Sequence, residues 1–93
     1  MEKQNHISIE QCCVVYNIET TFLYQLDEYG LIELIRSEET AYIAFEQLAD
    51  LEKYMHLHYE LEINLEGLET IKHLLGRVNE LQQEVKRLKG ETG

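Results

Sequence analysis

The chain has 93 residues, 44% of them apolar, a formal charge of −10 and no proline. That is enough chain for one modest core and too apolar a composition for a disordered one. No apolar run approaches about 18 residues and no basic-then-apolar segment opens the chain, so neither a membrane span nor a secretory signal is expected.

The two cysteines, Cys12 and Cys13, are adjacent on a predicted helix. Neighbouring helical side chains point about 100° apart, so the pair makes no useful loop-closing staple. Buried, reduced thiols and a cytoplasmic location are expected. Charge is unevenly placed. Between Gln4 and Glu52, ten acids, from Glu10 and Glu19 through Glu46, Asp50 and Glu52, stand against Arg36 alone, a net −9. Such a surface repels phosphate and favours basic partners.

In chain order, Ser8 followed three residues later by Gln11 is a capping-box pattern. It opens a short helix with Ile9, Cys12, Cys13 and Tyr16 that stops near Asn17. After the turn Ile18-Glu19-Thr20, a second helix runs from about Thr20 to Tyr29, with Phe22, Leu23, Leu26 and Tyr29 at helical spacing and Gly30 as its C′ residue. Two short helices joined by a tight turn read as a helix-turn-helix. Two β-rich pieces follow, Leu31 to Ile35 and Ala41 to Phe45, joined by the polar turn Ser37-Glu38-Glu39-Thr40, which predicts a hairpin. A third helix spans about Phe45 to Leu61, with Leu48, Leu51, Met55 and Tyr59 on one side. Glu62-Ile63-Asn64 makes a corner.

The last third is a rod. Ile71, Leu74, Val78, Leu81, Val85 and Leu88 alternate at spacings of three and four, the a/d seam of a helix that packs on another helix. Asn64 suits the N-cap, Glu66 the positive first turn, and Lys86, Arg87 and Lys89 the negative last turn. Gly90 then ends a helix of roughly 24 residues, about 36 Å long, with a frayed tail to Gly93. Leu65, Leu68 and Leu75 fall off the seam and are expected to pack on the chain's own head. The seam is expected to meet a second copy. The organisation is thus a head over residues 1–62 and a dimerisation helix over 63–93, within one compact domain.

The order helix-turn-helix, Tyr29-Gly30-Leu31-Ile32, wing, helix, corner and rod resembles the MerR-like winged-helix regulators. The chain more closely resembles the CbpM chaperone modulators, which are small MerR-like proteins. The carrying segments are Leu57-His58-Tyr59-Glu60-Leu61 and Ile63-Asn64-Leu65-Glu66-Gly67-Leu68, with Phe22-Leu23-Tyr24 and Gly30-Leu31-Ile32. Gly is common in both families where Glu62 stands. The resemblance implies a mainly α fold, a MerR-like winged helix-turn-helix with a small β-hairpin wing and a long C-terminal dimerisation helix. It also implies a partner, the J-domain of a DnaJ-like, CbpA-type co-chaperone, whose work with Hsp70 the protein would inhibit.

The residues argue against direct DNA binding. A reading helix needs Lys or Arg to neutralise phosphates, and where the MerR-like pattern carries basic side chains this one offers Thr21, Tyr24 and Glu28, with Glu38-Glu39 on the wing. Catalytic signatures are absent: no Gly-rich phosphate loop, no nucleophile elbow, and a His56-x-His58 pair whose side chains point to different helix faces. No enzyme activity, metal or cofactor is expected. The candidate partner-binding residues are Tyr24, Asp27, Glu28, Glu46, Asp50, Glu52 and Tyr54, acids for steering and two tyrosines as anchors. Two other functions remain open, a MerR-like DNA-binding regulator and a dimeric interaction module with an unrelated target.

Overall fold

The computed structural model describes residues 5–92. A short strand β1 (His6–Ser8) leads into helix α1 (Ile9–Tyr16), then α2 (Thr20–Glu28), the strands β2 (Leu34–Arg36) and β3 (Ala41–Ala44), helix α3 (Leu48–Met55) and the long helix α4 (Leu65–Thr92). β1 and β2 both pair antiparallel with β3, giving the order β1-β3-β2. The fold is the mainly helical winged helix-turn-helix that the sequence predicts, with one added strand. β1 escaped the pattern because its three residues abut a capping box, and an alternation of three is too short to read.

Local chemistry explains the ends. Ser8 caps α1, its hydroxyl accepting from the Gln11 amide at 3.1 Å. Asn17 closes that helix in the left-handed region at φ 56°, a conformation that Asn tolerates better than most residues. Gly30, at φ +74°, follows the end of α2. Asn64 caps α4, its side chain accepting from the Gly67 amide at 2.8 Å.

The core lies in the head, with one residue added by the first turn of the rod. It joins Ile9, Cys12 and Cys13 of α1, Phe22, Leu23 and Leu26 of α2, Leu31 and Ile32 of the connection, Leu34, Ala41 and Ile43 of the sheet, Leu51 and Tyr54 of α3, and Leu68 of α4. No charged or polar side chain is buried among the described residues. Leu65 and Leu68 do pack on the head, but Leu75 stands 46% exposed, so only the first turns of the rod are covered.

Three expectations are corrected. The helix expected from Phe45 to Leu61 is a 3-10 turn (Phe45–Gln47), then α3, then a π-helical turn (His56–Glu60). The wider turn changes the phase of the face, so Tyr59 ends half exposed instead of facing the core with Leu51. α4 does not stop at Gly90; it continues to Thr92, so the expected frayed tail is helical that far, and Gly93 lies outside the described residues. The first strand of the hairpin begins at Leu34, not Leu31, because Leu31 and Ile32 are drawn into the core.

The corner is strained. Glu62 holds φ 58°, a left-handed conformation that costs an L-residue about 1–2 kcal/mol and glycine nothing steric. Glu62→Gly should therefore raise stability by up to about 1 kcal/mol, the relief being partly offset by the entropy of the unfolded chain. Asn64→Ala, which removes the cap, should lower it by about 1 kcal/mol. Thermal melts of both variants check this, and a Glu62→Gly protein melting below the parent refutes the strain.

Candidate protein-binding surface

Burial of Phe22, Leu23 and Leu26 fixes the roll of α2 and turns Thr21, Tyr24, Gln25 and Glu28 outward. This face carries no cation of its own. The nearest is Arg36 on β2, whose guanidinium meets the Asp27 carboxylate at 2.6 Å and lies 5.5 Å from the centroid of the Tyr24 ring. The other Asp27 oxygen accepts from the Leu34 amide at 3.1 Å. Thr21, Tyr24, Gln25, Glu28 and Arg36 line a hollow of about 420 Å³.

Beside it, where α2 ends and the 3-10 turn and α3 begin, lies an open acidic cleft of about 630 Å³. Asp27, Glu33, Glu46 and Asp50 share its wall with Gly30, Leu31, Ile32 and Gln47. Lys72 reaches in from α4, its ammonium donating to the Gly30 carbonyl. Gln47 secures the loop, its side-chain oxygen accepting from the Glu33 amide at 3.0 Å. Lys53 lies 3.6 Å from Asp50.

Of the residues singled out by sequence, the structure brings Asp27, Glu46 and Asp50 together in this cleft, with Tyr24 and Glu28 in the adjoining hollow. Two stand apart. Glu52 accepts a hydrogen bond from the Tyr16 hydroxyl at 2.7 Å, tying α3 to α1. Tyr54 is only 2% exposed and belongs to the core, which corrects its expected role as a surface anchor. The reason is helical phase: Tyr54 stands three residues after the fully buried Leu51 and shares its inward face. Glu33 was missed as a member of the cleft. It counts in the acid surplus, but it lies in the loop before β2, where no periodicity assigns a direction.

The rod presents the other surface. Leu74, Val78, Leu81, Val85 and Leu88 are each between 47% and 58% exposed, and Ile71 is half-buried where the rod leaves the head. Val78, Leu81 and Val85 line a shallow apolar hollow of about 520 Å³ with Gln82 and Lys86. An uncovered stripe of this kind is a feature that monomeric soluble proteins rarely show.

Two of the four histidines lie beside the corner. His58 stacks on Phe22 with ring centroids 4.9 Å apart and its Nδ1 contacts the Ile63 carbonyl at 2.8 Å, while His56 lies 2.8 Å from Glu60. No group of three or more potential metal ligands converges among the described residues. Cys12 and Cys13 are free, buried thiols. Burial, with Cys13 alongside, pushes the Cys12 thiol up to about 11, and burial and then Glu10 raise that of Cys13. The Tyr16 hydroxyl is pushed up to about 12, first by its hydrogen bond to Glu52.

A helix-turn-helix, a hairpin wing and a projecting helix define a winged helix-turn-helix protein of the regulatory class. The sequence matches the family described as MerR HTH family regulatory protein over residues 7–90, and the chain belongs to that family. No curated protein matches it. No helix among the described residues is long and apolar enough to cross a membrane.

The raised thiol and phenol values give a signed expectation. Cys12 ionises near 9.0 when unfolded and near 11 when folded, so the stability it contributes is complete below pH 9 and is lost as pH rises towards 11. Tyr16 acts likewise between 10 and 12. Urea midpoints should fall above pH 9, and the decline above pH 10 should be shallower in Tyr16→Phe. At pH 8 a thiol-disulfide reagent should label both cysteines only after unfolding.

Proposed function

We propose that this protein is an adaptor that grips a basic protein helix on the acidic face formed by α2, the wing and the start of α3. The observation that carries this reading is the disposition of charge. Glu28, Glu33, Glu46 and Asp50 border the face, while Arg36, Lys53 and Lys72 are each engaged within the chain, by Asp27, Asp50 and the Gly30 carbonyl. A helix in the position of a DNA-reading helix thus lacks the phosphate-neutralising charge on which duplex affinity is built. The partner that the resemblance to the CbpM modulators implies is the J-domain of a DnaJ-like co-chaperone. Covering the basic helix that a J-domain presents to Hsp70 would inhibit the pair, and a cytoplasmic location accords with the reduced thiols.

Two copies join through the rods, with Ile71, Leu74, Val78, Leu81, Val85 and Leu88 as the interface, residues 1–62 forming each head and 63–93 each rod.

Family membership favours a second reading, a DNA-binding regulator. Titration calorimetry with a J-domain and with duplex oligonucleotide separates the two. The expected result is J-domain binding that weakens with salt, and an association rate about tenfold lower when Glu28, Glu46 and Asp50 are neutralised together. Tight, salt-sensitive binding to duplex alone would replace the adaptor reading by the second. For the rods, Val78→Glu and Leu81→Glu should each give a monomer by light scattering; a dimer in both removes the seam from the interface.

A further inference from the structure

We propose that Asp27 is a positioning residue for partner binding and not a contact. By holding the wing to α2 it sets Tyr24 in a pre-formed seat, whose occupant is the basic helix of the partner; the inference rests on the adaptor reading above.

β2 is an edge strand, bonded to β3 on one side only. On its free side the Leu34 amide has no strand to pair with, and one Asp27 oxygen takes that role at 3.1 Å. The second oxygen holds Arg36 two residues further along the same strand, on the same side of the pleat, at 2.6 Å. A single carboxylate therefore fixes both the position of the wing backbone and the direction of its one guanidinium. The Asp27 side chain is itself only 19% exposed, so little of it is left for a partner. Arg36 extends from this clamp over the Tyr24 ring, 5.5 Å from its centroid, within the range of a cation–π contact. Tyr24, 37% exposed, is thus held beside Glu28 in the hollow between α2 and the wing. An ordered aromatic anchor beside a carboxylate complements a helix that carries both an apolar side chain and lysine or arginine. Fixing the anchor in advance reduces the entropy lost on binding.

Arg36→Gln separates this account from simpler ones. If charge alone governed binding, removing a cation from an acidic face would leave the affinity for a basic partner unchanged or raise it. If Asp27 were a direct contact, Asp27→Asn would weaken binding and Arg36→Gln would not. With Asp27 as a clamp, both variants bind a purified J-domain about five- to tenfold more weakly than the parent. The double variant is no weaker than the worse single one, Arg36→Lys recovers part of the loss, and Arg36→Gln has no further effect in a Tyr24→Ala background. Melting curves verify that each protein is folded at the assay temperature. Arg36→Gln binding as tightly as the parent overturns the proposal while leaving the adaptor reading in place. If the parent binds no J-domain, that reading fails, and amide exchange at Leu34 decides the clamp: faster exchange in Arg36→Gln supports it, and an unchanged rate overturns it.

Discussion

The structure depends on one interlock, the closing of α3 and the first turns of α4 over the helix-turn-helix. Leu51 and Leu68 are fully buried and Tyr54 nearly so, together with Leu23 and Leu26 of α2, Cys12 of α1 and Ile43 of β3. Each large apolar side chain buried in this way contributes roughly 1.5–3 kcal/mol, and together they decide the orientation of every element in the head. The roll of α2 follows from Leu23 and Leu26, and hence the outward direction of Tyr24 and Glu28. The core takes in no polar side chain among the described residues, so every ionisable carboxylate that could meet a partner is left at the surface. The rod gives the core only Leu68 in full, and its apolar stripe from Leu74 to Leu88 stays about half exposed.

Much of this is written in local chemistry. Ser8 with Gln11, Gly30 and Asn64 mark helix ends because a missing hydrogen bond or a positive φ restricts the residue types allowed there. The seam from Ile71 to Leu88 is legible because a repeat of three and four survives over five turns. What escaped reading depended on tertiary context. β1 exists because β3 offers it a partner, and three residues carry no alternation by themselves. Tyr54 and Tyr59 exchange the exposures expected of them: Tyr54 shares the Leu51 face, and the π-helical turn at His56–Glu60 shifts Tyr59 out of phase. Nothing in composition announces that turn. The acidic character of the candidate face could be counted from sequence, but its membership could not, since Glu33 enters from a loop and Glu52 is taken up by Tyr16.

The family fold and the chemistry of its surface point in different directions. The architecture is that of the MerR HTH regulatory family. Affinity for a duplex grows with each phosphate neutralised, and a face that borders Glu28, Glu33, Glu46 and Asp50 neutralises none. The one wing cation is bound at 2.6 Å by Asp27. The same charges that repel phosphate raise the local concentration of a basic partner and its association rate. Their mutual repulsion costs the head some stability, which the apolar interlock offsets.

Head and rod meet at the end of α2, and this is where the acidic cleft and the projecting helix become one structure. Tyr29 donates its hydroxyl to Glu66 at 3.1 Å, and Lys72, nearly two turns further along α4, donates to the carbonyl of Gly30. Gly30 terminates α2 by adopting a positive φ, and the carbonyl it presents there lies at the negative end of that helix, where an ammonium is favoured. The rod therefore supplies a wall of the cleft through Lys72 and is anchored by the residue that ends α2. A rotation of α4 about its axis would move Leu68 out of the core and Lys72 away from Gly30 together. The direction of the rod is set by the same packing that shapes the cleft, so one buried leucine and one glycine carbonyl hold the apolar seam and the acidic face in a fixed relation.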